Sequence, residues 1–358
     1  MNTKDRYTSN KKTFCIKDLP EMNFSHIENL TDDTGIMQHD LLTRKGYRLD
    51  DNASALLLFV LACKHTHNDK SQLRLLHVYL SFIYYMQTDL GEFKNYMNYR
   101  KEIAEECGSE DSFGRTIMAL GFLMNEGPSH VFSKTAAGII SRAYHRIDKL
   151  ICIHGIANAV IGICQCIKYK NPDDIKRDLV IKLSDKIVNM YKANSSGNWH
   201  WFEPVLTYDN AILPLALLNA YEITGNKYCL TTAFDAMEFL ESKVFHDGVL
   251  SLTSDNGWYK QEKTTYSKFD QQGINAMAMI LYYQQAFRIT QNEVYLSRMY
   301  ISYQWFLGKN DLDLPLYNFS TGGCADGLNI KEINLNQDAA STLAYWISHM
   351  IVASELQA

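Results

Sequence analysis

One unit recurs six times along the sequence from Gly46 onward. In each unit, a polar segment carrying Asp, Glu, Asn, Gln or His leads directly into a stretch of small and apolar residues. The units begin at Asp50, Glu110, His154, Tyr208, Phe269 and Asn336. A helix that is apolar on all sides is typically buried, whereas the stretches between these units carry one apolar stripe and a charged face, as outer helices do. Six inner helices alternating with about six outer helices predict an all-α fold, an (α/α)6 toroid.

The alternative to a closed toroid is an open helical solenoid. Common helical solenoids repeat at a fairly uniform spacing of roughly 34 to 47 residues. Here the starts of the units are separated by roughly 40 to 70 residues, with the excess in loops, which favours the closed form. We therefore expect an N-terminal strap over residues 1–45, packed on a toroid that forms the catalytic domain over residues 46–358. Strand signals are sparse and predict only minor β-hairpins in long loops, such as residues 244–259.

One internal repeat supports this arrangement. The segment AYEITGNKYCL at 220–230 aligns with AFRITQNEVYL at 286–296, with matching Ala, aromatic, Ile-Thr, Asn and Leu positions. Each copy joins the end of a predicted inner helix to the start of a predicted outer helix. The two copies therefore predict two equivalent hairpins.

Composition limits the partners of the chain. It has 358 residues, of which 46% are hydrophobic, and a formal charge of −5 with no basic tract. This balance argues against nucleic acid and against an anionic membrane as partners. The longest apolar run, Ala53 to Cys63, is too short to span a bilayer, and the first twenty residues contain no apolar run. Eight cysteines scattered through the chain fit reduced core thiols, so we expect a cytoplasmic protein.

Several kinds of chemistry lack their sequence signature. The sequence has no CxxC and no HExxH, and His65 and His67 lie two residues apart, a spacing that does not share a helix face. We therefore expect no metal site. No P-loop, GxGxxG or nucleophile elbow is present, which argues against nucleoside triphosphatase, Rossmann and hydrolase-fold chemistry. We expect no cofactor.

The polar segments that precede the six inner helices indicate where a site would lie. Singly, each is most simply a helix N-cap, because Asp, Asn and Ser accept the free N–H bonds of a first turn. In a toroid all six converge on one end of the axis, which gathers more carboxylates than capping requires. Glycoside hydrolysis needs two carboxyl groups that flank the scissile bond. We predict an acid/base set of Glu110, Asp111, Glu203 and Asp209, with Asp51, Asp270 and Gln271 binding substrate hydroxyls.

The stretch Trp199 to Ala211 combines two tryptophans with further aromatic and acidic residues. Aromatic faces beside carboxylates suit a sugar, whose ring offers C–H faces for stacking. The alternative is a loop whose aromatics cover the core. The predicted substrate-binding residues are the aromatics Trp199, Trp201, Tyr208 and Trp258, together with Arg115 and His154. Arg115 follows Asp111 by four residues, so the two can pair on a helix, either structurally or to keep Asp111 ionised.

Taken together, these motifs resemble the six-hairpin glycosidase superfamily, which has an (α/α)6 toroid. The resemblance rests on GYRLDDNASAL at 46–56, GSEDSFGR at 108–115, WHWFEPVLTYDNAILPLALL at 199–218 and NQDAASTLAY at 336–345. More narrowly, the chain is similar to bacterial proteins of that type that are loosely called glycosyltransferases, because relatives are fused to such domains. The superfamily implies an oligosaccharide or small sugar as substrate, mostly hydrolysed with inversion, with isomerising relatives.

The sequence departs from that pattern at two positions. Ser54 stands where an Arg is usual, and Ala340 stands where a Glu is expected. If that Glu is catalytic in relatives, this chain has lost or changed the activity. Three hypotheses therefore stay open: a glycoside hydrolase, a sugar 2-epimerase or isomerase with His154 or His200 as base, and a non-catalytic carbohydrate-binding relative.

Overall fold

The computed structural model describes residues 16–39, 44–65, 69–103, 108–169, 174–253, 259–262 and 269–357. Within these ranges the chain forms twelve α-helices and nine short strands. The helices are α1 (Ser25–Leu30), α2 (Leu49–His65), α3 (Lys70–Met86), α4 (Glu110–Glu126), α5 (His130–Ile147), α6 (Ile153–Tyr169), α7 (Asp174–Asn194), α8 (Ile212–Thr224), α9 (Lys227–Val244), α10 (Gly273–Thr290), α11 (Glu293–Gln304) and α12 (Ala339–Gln357).

The even-numbered helices form a closed inner ring. Each of them contacts the next one along the chain, and α12 contacts α2, which closes the ring. Their burial matches the sequence pattern: α6, for example, is buried continuously from Ile153 to Ile167. The odd-numbered helices pack outside and bury only one face; α3, for example, alternates buried and exposed positions. The prediction of an all-α (α/α)6 toroid is confirmed.

Glycines set the closest approach within the ring, between α4 and α6. A Cβ atom on Gly114 would lie 2.3 Å from the carbonyl oxygen of Gly155, and one on Gly121 would lie 2.2 Å from that of Gly162. Both glycine pairs are separated by seven residues on their helices, so they share one face. The two helix backbones therefore touch, and the starts of α4 and α6 lie side by side.

The internal repeat corresponds to two equivalent hairpins. Thr224 Oγ1 accepts from the backbone N–H of Asn226, and Thr290 Oγ1 accepts from that of Asn292, both at 3.2 Å. Each asparagine then caps its outer helix, accepting from Tyr228 N at 3.0 Å or from Val294 N at 3.1 Å. The residue between Thr and Asn has a left-handed backbone conformation in both copies. The same local interactions therefore form the turn in each hairpin.

Strands are confined to the connections, as the sequence predicted. An antiparallel sheet of β1 (Met37–His39), β2 (Arg44–Arg48) and β3 (Tyr96–Asn98) leads directly into α2. The other strands form two-residue pairs: β4 (Val205–Leu206) with β7 (Tyr259–Lys260), β5 (Phe245–His246) with β6 (Val249–Leu250), and β8 (Gly327–Leu328) with β9 (Ile333–Asn334). The first sheet delivers Arg48 to the end of the toroid where the inner helices begin.

The N-terminal segment packs on the toroid where the structure describes it. A 3-10 turn, Ile16–Asp18, precedes α1, and the ring of Phe24 lies 5.2 Å from that of Phe59 and 5.0 Å from that of Trp346. Ile27 and Leu30 of α1 join the same hydrophobic core as the inner helices. The boundary between strap and toroid near residue 45 stays a prediction. None of the described helices is long and apolar enough to cross a membrane.

Candidate active site at the mouth of the toroid

The starts of the inner helices surround a cavity of about 390 Å³. Its lining comes from five of them: Asp51 on α2, Asp111 on α4, Tyr208 before α8, Gln272 before α10 and Asp338 before α12. A wider depression of about 760 Å³ lies next to it and adds the start of α6 through Ile151 and Cys152. Both share Arg48, Asp50, Asp111 and Tyr208. The predicted convergence of the polar segments is thus observed. We call the two spaces the inner cavity and the outer depression.

Arg115 joins two carboxylates beside the inner cavity. Its Nε donates to Asp111 Oδ2 at 3.2 Å, and its Nη2 donates to Asp209 Oδ2 at 2.6 Å. Burial opposes the charge of the guanidinium, but Asp209 and Asp111 outweigh that effect and raise the pKa of Arg115. The four-residue spacing on α4 places Asp111 and Arg115 on one helix face. Arg115 therefore stays charged and orients the Asp111 carboxylate.

Asp209 is the buried anchor of this arrangement. Its side chain is fully buried, and its backbone adopts a left-handed φ of 50°. The backbone N–H of Asp209 donates to Asn275 Oδ1 on α10 at 2.6 Å, which holds the strained turn in place. Asp209 lines neither the inner cavity nor the outer depression, so the structure gives it the role of holding Arg115.

Tyr208 gives Asp111 a second donor. Its hydroxyl lies 3.3 Å from Asp111 Oδ2, and burial followed by the charge of Asp111 raises the pKa of Tyr208, so the hydroxyl keeps its proton. The ring of His154 stacks beneath it, with centroids 4.8 Å apart and planes 16° apart. His154 Nε2 lies 3.0 Å from the Tyr208 carbonyl oxygen, and burial lowers the pKa of His154. His154, whose lowered pKa favours the neutral imidazole, thus supports the ring of Tyr208. It lines neither the inner cavity nor the outer depression.

Two further carboxyl groups face the inner cavity from α2 and from the segment before α12. Burial, followed by the charge of Asp50, raises the pKa of Asp51 well above its usual value. Burial, followed by the charge of Asp326, raises the pKa of Asp338 to about 6. The loop fixes Asp338 from both sides, because its backbone N–H donates to Asp326 Oδ1 at 3.0 Å and its Oδ1 accepts from Ser341 N at 3.2 Å. Burial thus favours the protonated form of both carboxyl groups, whereas Asp111 accepts a hydrogen bond from the Arg115 guanidinium.

A bidentate ion pair forms part of the rim. Arg48 donates from Nε to Asp50 Oδ1 at 3.0 Å and from Nη2 to Asp50 Oδ2 at 2.7 Å. Arg48, Asp50 and Asp338 were not among the predicted site residues. Asp50 and Asp338 belong to the polar segments before inner helices, so their position in the sequence carried a usable signal. Arg48 is the last residue of β2 and directly precedes α2, so it too lies beside a polar segment in the sequence.

Besides Asp209, two more of the predicted catalytic carboxylates lie outside the inner cavity. Glu110 lines the outer depression, where its Oε2 accepts from the backbone N–H groups of Ile151 at 2.8 Å and Cys152 at 2.6 Å. It therefore caps the segment that enters α6, which is the structural role open to any such carboxylate. Glu203 lines neither space, and burial raises the pKa of its carboxyl.

The predicted tryptophan platforms are buried. Trp201 is fully buried, with its ring edge-on to Phe202 at 5.1 Å. Trp199 is 5% exposed and stacks on Tyr259 at 5.8 Å, while its Nε1 donates to the carbonyl oxygen of Glu203 at 2.9 Å. Their ring faces are already covered by protein, so the alternative interpretation, a loop that covers the core, describes them better. Trp258 lies outside the described residues.

Asp270 and Gln271 also point away from both spaces. Gln271 is fully buried; its Nε2 donates to Asp311 Oδ2 at 2.6 Å, and its Oε1 accepts from Trp305 Nε1 at 3.1 Å. Asp270 has a left-handed φ of 69°, and its backbone N–H donates to the Leu328 carbonyl oxygen at 3.0 Å. Both fix the loop before α10, and their neighbour Gln272 lines the inner cavity instead.

Of the predicted site residues, the structure brings Asp51, Asp111, Arg115 and Tyr208 together at the inner cavity. The other described residues lie elsewhere for reasons that a linear pattern does not contain: which helix start accepts a neighbouring carboxylate, and which aromatic ring turns inward. Among the described residues, no cluster of three or more His, Cys, Asp or Glu side chains is arranged to hold a metal ion.

Comparison with known proteins confirms the fold. No family model and no curated protein matches the sequence. The structure is similar to that of a sugar epimerase from a ruminal bacterium, with a TM-score of 0.70 and 11% identity over 92% of this chain and 94% of that one. A D-mannose isomerase matches with a TM-score of 0.69 and 12% identity over 93% and 94% of the two chains. An alpha-1,6-mannanase of Salegentibacter matches with a TM-score of 0.60 and 12% identity over 92% and 96%. At these identities the likeness shows the (α/α)6 fold alone.

Proposed function

We propose that this protein is a glycoside hydrolase that acts on an oligosaccharide in the inner cavity. One observation carries the proposal: an oriented carboxyl group, Asp111 on α4, and a carboxyl group with a raised pKa, Asp338 before α12, line the same cavity. Glycoside hydrolysis requires this division between an acid and a base or nucleophile. A carboxyl group whose surroundings raise its pKa is suited to act as the acid, and Asp338 is such a group.

Asp338 is the proposed general acid. With a pKa of about 6 it carries a proton at mildly acidic pH, and it gives that proton to the glycosidic oxygen as the bond to the anomeric carbon breaks. Asp111 takes the opposite role. Because Arg115 and Tyr208 both donate to its Oδ2, the carboxylate is held in place to accept a proton from the attacking water. Asp51, whose pKa is raised by burial, binds a substrate hydroxyl.

The ring order favours an inverting arrangement. Asp111 lies on α4 and Asp338 precedes α12, and α2 stands between these two helices in the closed ring. Adjacent packed helices lie about 8–10 Å apart, so the backbone positions that carry these two carboxyl groups are separated by more than one such spacing. Inverting enzymes separate their carboxyls by about 6.5–9.5 Å to admit water, whereas retaining enzymes bring them to about 5–5.5 Å.

The outer depression supports an oligosaccharide rather than a single sugar. It shares Asp111 and Tyr208 with the inner cavity and opens toward solvent past Ile151, so a chain that enters the inner cavity has a continuous path outward. The fold neighbours are consistent with this: the Salegentibacter mannanase binds alpha-1,6-mannotriose and is inactive with two successive aspartates changed to asparagine. This chain has two successive acidic pairs at the mouth, Asp50–Asp51 and Glu110–Asp111.

The site offers less support to the epimerase hypothesis. Such an enzyme abstracts a proton next to a carbonyl and usually uses a histidine. Among the described residues, no histidine lines the inner cavity or the outer depression. His154 lies beneath Tyr208, and His200 lies 3.1 Å from Asp235 on α9.

Turnover of an oligosaccharide panel tests the proposal. The panel is incubated with the wild type, Asp338→Asn and Asp111→Asn, and released sugars are quantified. Each substitution is expected to slow hydrolysis by roughly 10²–10⁴-fold, because each removes one proton-transfer group. Asp33→Asn is the matched control, since that side chain is fully exposed and lines neither the inner cavity nor the outer depression. Equal turnover by wild type and both cavity variants would refute the assignment.

A further inference from the structure

The two walls of the inner cavity differ in chemistry. The wall formed by α2 and α4 presents Asp51, Asp111 and Arg115, with Ser54 one turn deeper. The adjoining wall, from α10 and α12, is aliphatic below its rim, and we call it the apolar wall. It consists of Ile274, Met277, Ala344 and Ile347.

The apolar wall is deep. Ala340, at the exposed top of α12, and Ile347 both line the cavity and are seven residues apart. At about 1.5 Å rise per residue, the cavity follows α12 inward for about 10 Å. Met277, Ala344 and Ile347 are at most 5% exposed, so this lower part lies inside the ring of inner helices. The space is therefore longer than the polar mouth alone, and its inner end is apolar on the α10–α12 side.

Resting on the proposed function, we propose that the apolar wall receives a methyl group carried by the sugar in the inner cavity. The substrate is then a glycan with a methyl-bearing sugar, and Ala344 and Met277 set this specificity. A sugar hydroxyl against this wall would lose its hydrogen bonds to water, because the aliphatic side chains of Ile274, Met277, Ala344 and Ile347 supply no partner. A methyl group loses nothing there and gains from leaving water.

The sugar ring would lie between the polar wall of α2 and α4 and the apolar wall. Its hydroxyls face Asp51 and Asp111, while the methyl group points down α12 toward Ile347. One extra carbon that fits an apolar pocket typically lets a site discriminate between two substrates by roughly 10- to 200-fold. Two sugar classes carry such a methyl group, 6-deoxyhexoses and N-acetylhexosamines, and the apolar wall fits the group that they share.

Binding of matched monosaccharides to the wild-type protein shows which of the two sugar classes supplies the methyl group. A 6-deoxyhexose is compared with its parent hexose, and an N-acetylhexosamine with the corresponding hexose, by ligand-observed NMR titration. One methyl-bearing member is expected to bind at least about tenfold more tightly than its partner. The pair that shows the difference identifies the source of the methyl group. Because this readout needs no turnover, it is independent of the hydrolysis assay.

Two variants that change the volume of the lower part of the inner cavity in opposite directions sharpen the test. Ala344→Leu fills the lower cavity and is expected to reduce the preference for the methyl group to about twofold or less. Met277→Ala enlarges the same space and is expected to keep that preference while also admitting a larger acyl or alkyl group. A general folding defect would weaken every sugar in both variants alike, and thermal melting by circular dichroism checks for it.

Equal affinity within both pairs would overturn the inference while leaving the hydrolysis proposal standing. Preference for the hydroxyl-bearing partner, or a preference that Ala344→Leu leaves intact, would also overturn it. Loss of oligosaccharide hydrolysis in the panel together with a clear methyl preference would refute the proposed reaction alone.

Discussion

Replacing Arg115 by Met removes the cation that joins α4 to the turn before α8. The Arg115 side chain is 8% exposed and that of Asp209 is fully buried, so water cannot replace the lost partner. Breaking a buried ion pair from one side typically costs about 3–5 kcal/mol, because the remaining charge stays buried without compensation. Here the substitution removes the guanidinium beside the buried Asp209 carboxylate and also the Nε donor of Asp111, so we expect the upper part of that range.

Urea unfolding followed by circular dichroism measures this cost. Asp209→Asn is expected to cost less than Arg115→Met, because Arg115 keeps Asp111 as a partner at 3.2 Å. The double variant Arg115→Met/Asp209→Asn should be more stable than Arg115→Met alone by about 1–3 kcal/mol, since it also removes the buried Asp209 charge. Arg74→Met is the matched control: that side chain is 55% exposed and pairs with a fully exposed Asp33, so little change is expected.

Two results would refute this reasoning. One is a free energy of unfolding for Arg115→Met equal to that of Arg74→Met. The other is a double variant that is less stable than Arg115→Met alone. Either would mean that Arg115 does not neutralise Asp209 in the folded protein.

Two further predictions follow from the site and from the ring. The rate of hydrolysis should fall as pH rises through about 6, because Asp338, with its pKa raised to about 6, must be protonated to act as the acid. A pH profile of kcat/KM checks this prediction. A profile whose alkaline limb is unchanged in Asp338→Asn would contradict it. The same raised pKa means that the contribution of Asp338 to stability is full below its unfolded pKa of about 3.9 and is lost as pH rises through about 6. Gly114→Ala should lower the free energy of unfolding by about 1–3 kcal/mol, because its Cβ would meet a backbone oxygen at 2.3 Å. Gly138→Ala on α5, where nothing lies within 4 Å, should instead raise it by about 0.5–1 kcal/mol, and equal effects in urea unfolding would contradict the packing argument.

The architecture was predictable because it depends on periodicity. All-round apolar helices must be buried, and six of them alternating with striped helices leave few arrangements other than a ring. The repeat at 220–230 and 286–296 could be recognised for the same reason: local capping by Asn226 and Asn292 is encoded in the residues that perform it.

The site was only partly predictable. The sequence indicates that the polar segments meet at one end of the toroid, but it does not determine which way each side chain points. Asp111 and Glu110 are neighbours at one helix start, yet one faces the inner cavity and the other caps the next helix. Trp201 lies in a polar, aromatic loop and still turns inward to be fully buried. Asp338 belongs to the polar segment that begins at Asn336, but its raised pKa depends in part on Asp326, twelve residues away, which only the fold brings beside it.

The division of labour between Asp338 and Asp111 is tested most directly by changing the leaving group. The oligosaccharide that the panel identifies is compared with a 2,4-dinitrophenyl glycoside of the same sugar, whose leaving group departs without a proton. Asp338→Asn is expected to lose roughly 10²–10⁴-fold in kcat/KM on the oligosaccharide and little on the activated glycoside, whereas Asp111→Asn loses activity on both. If Asp338→Asn slows both substrates equally, Asp338 is not the general acid and the proposed mechanism is wrong.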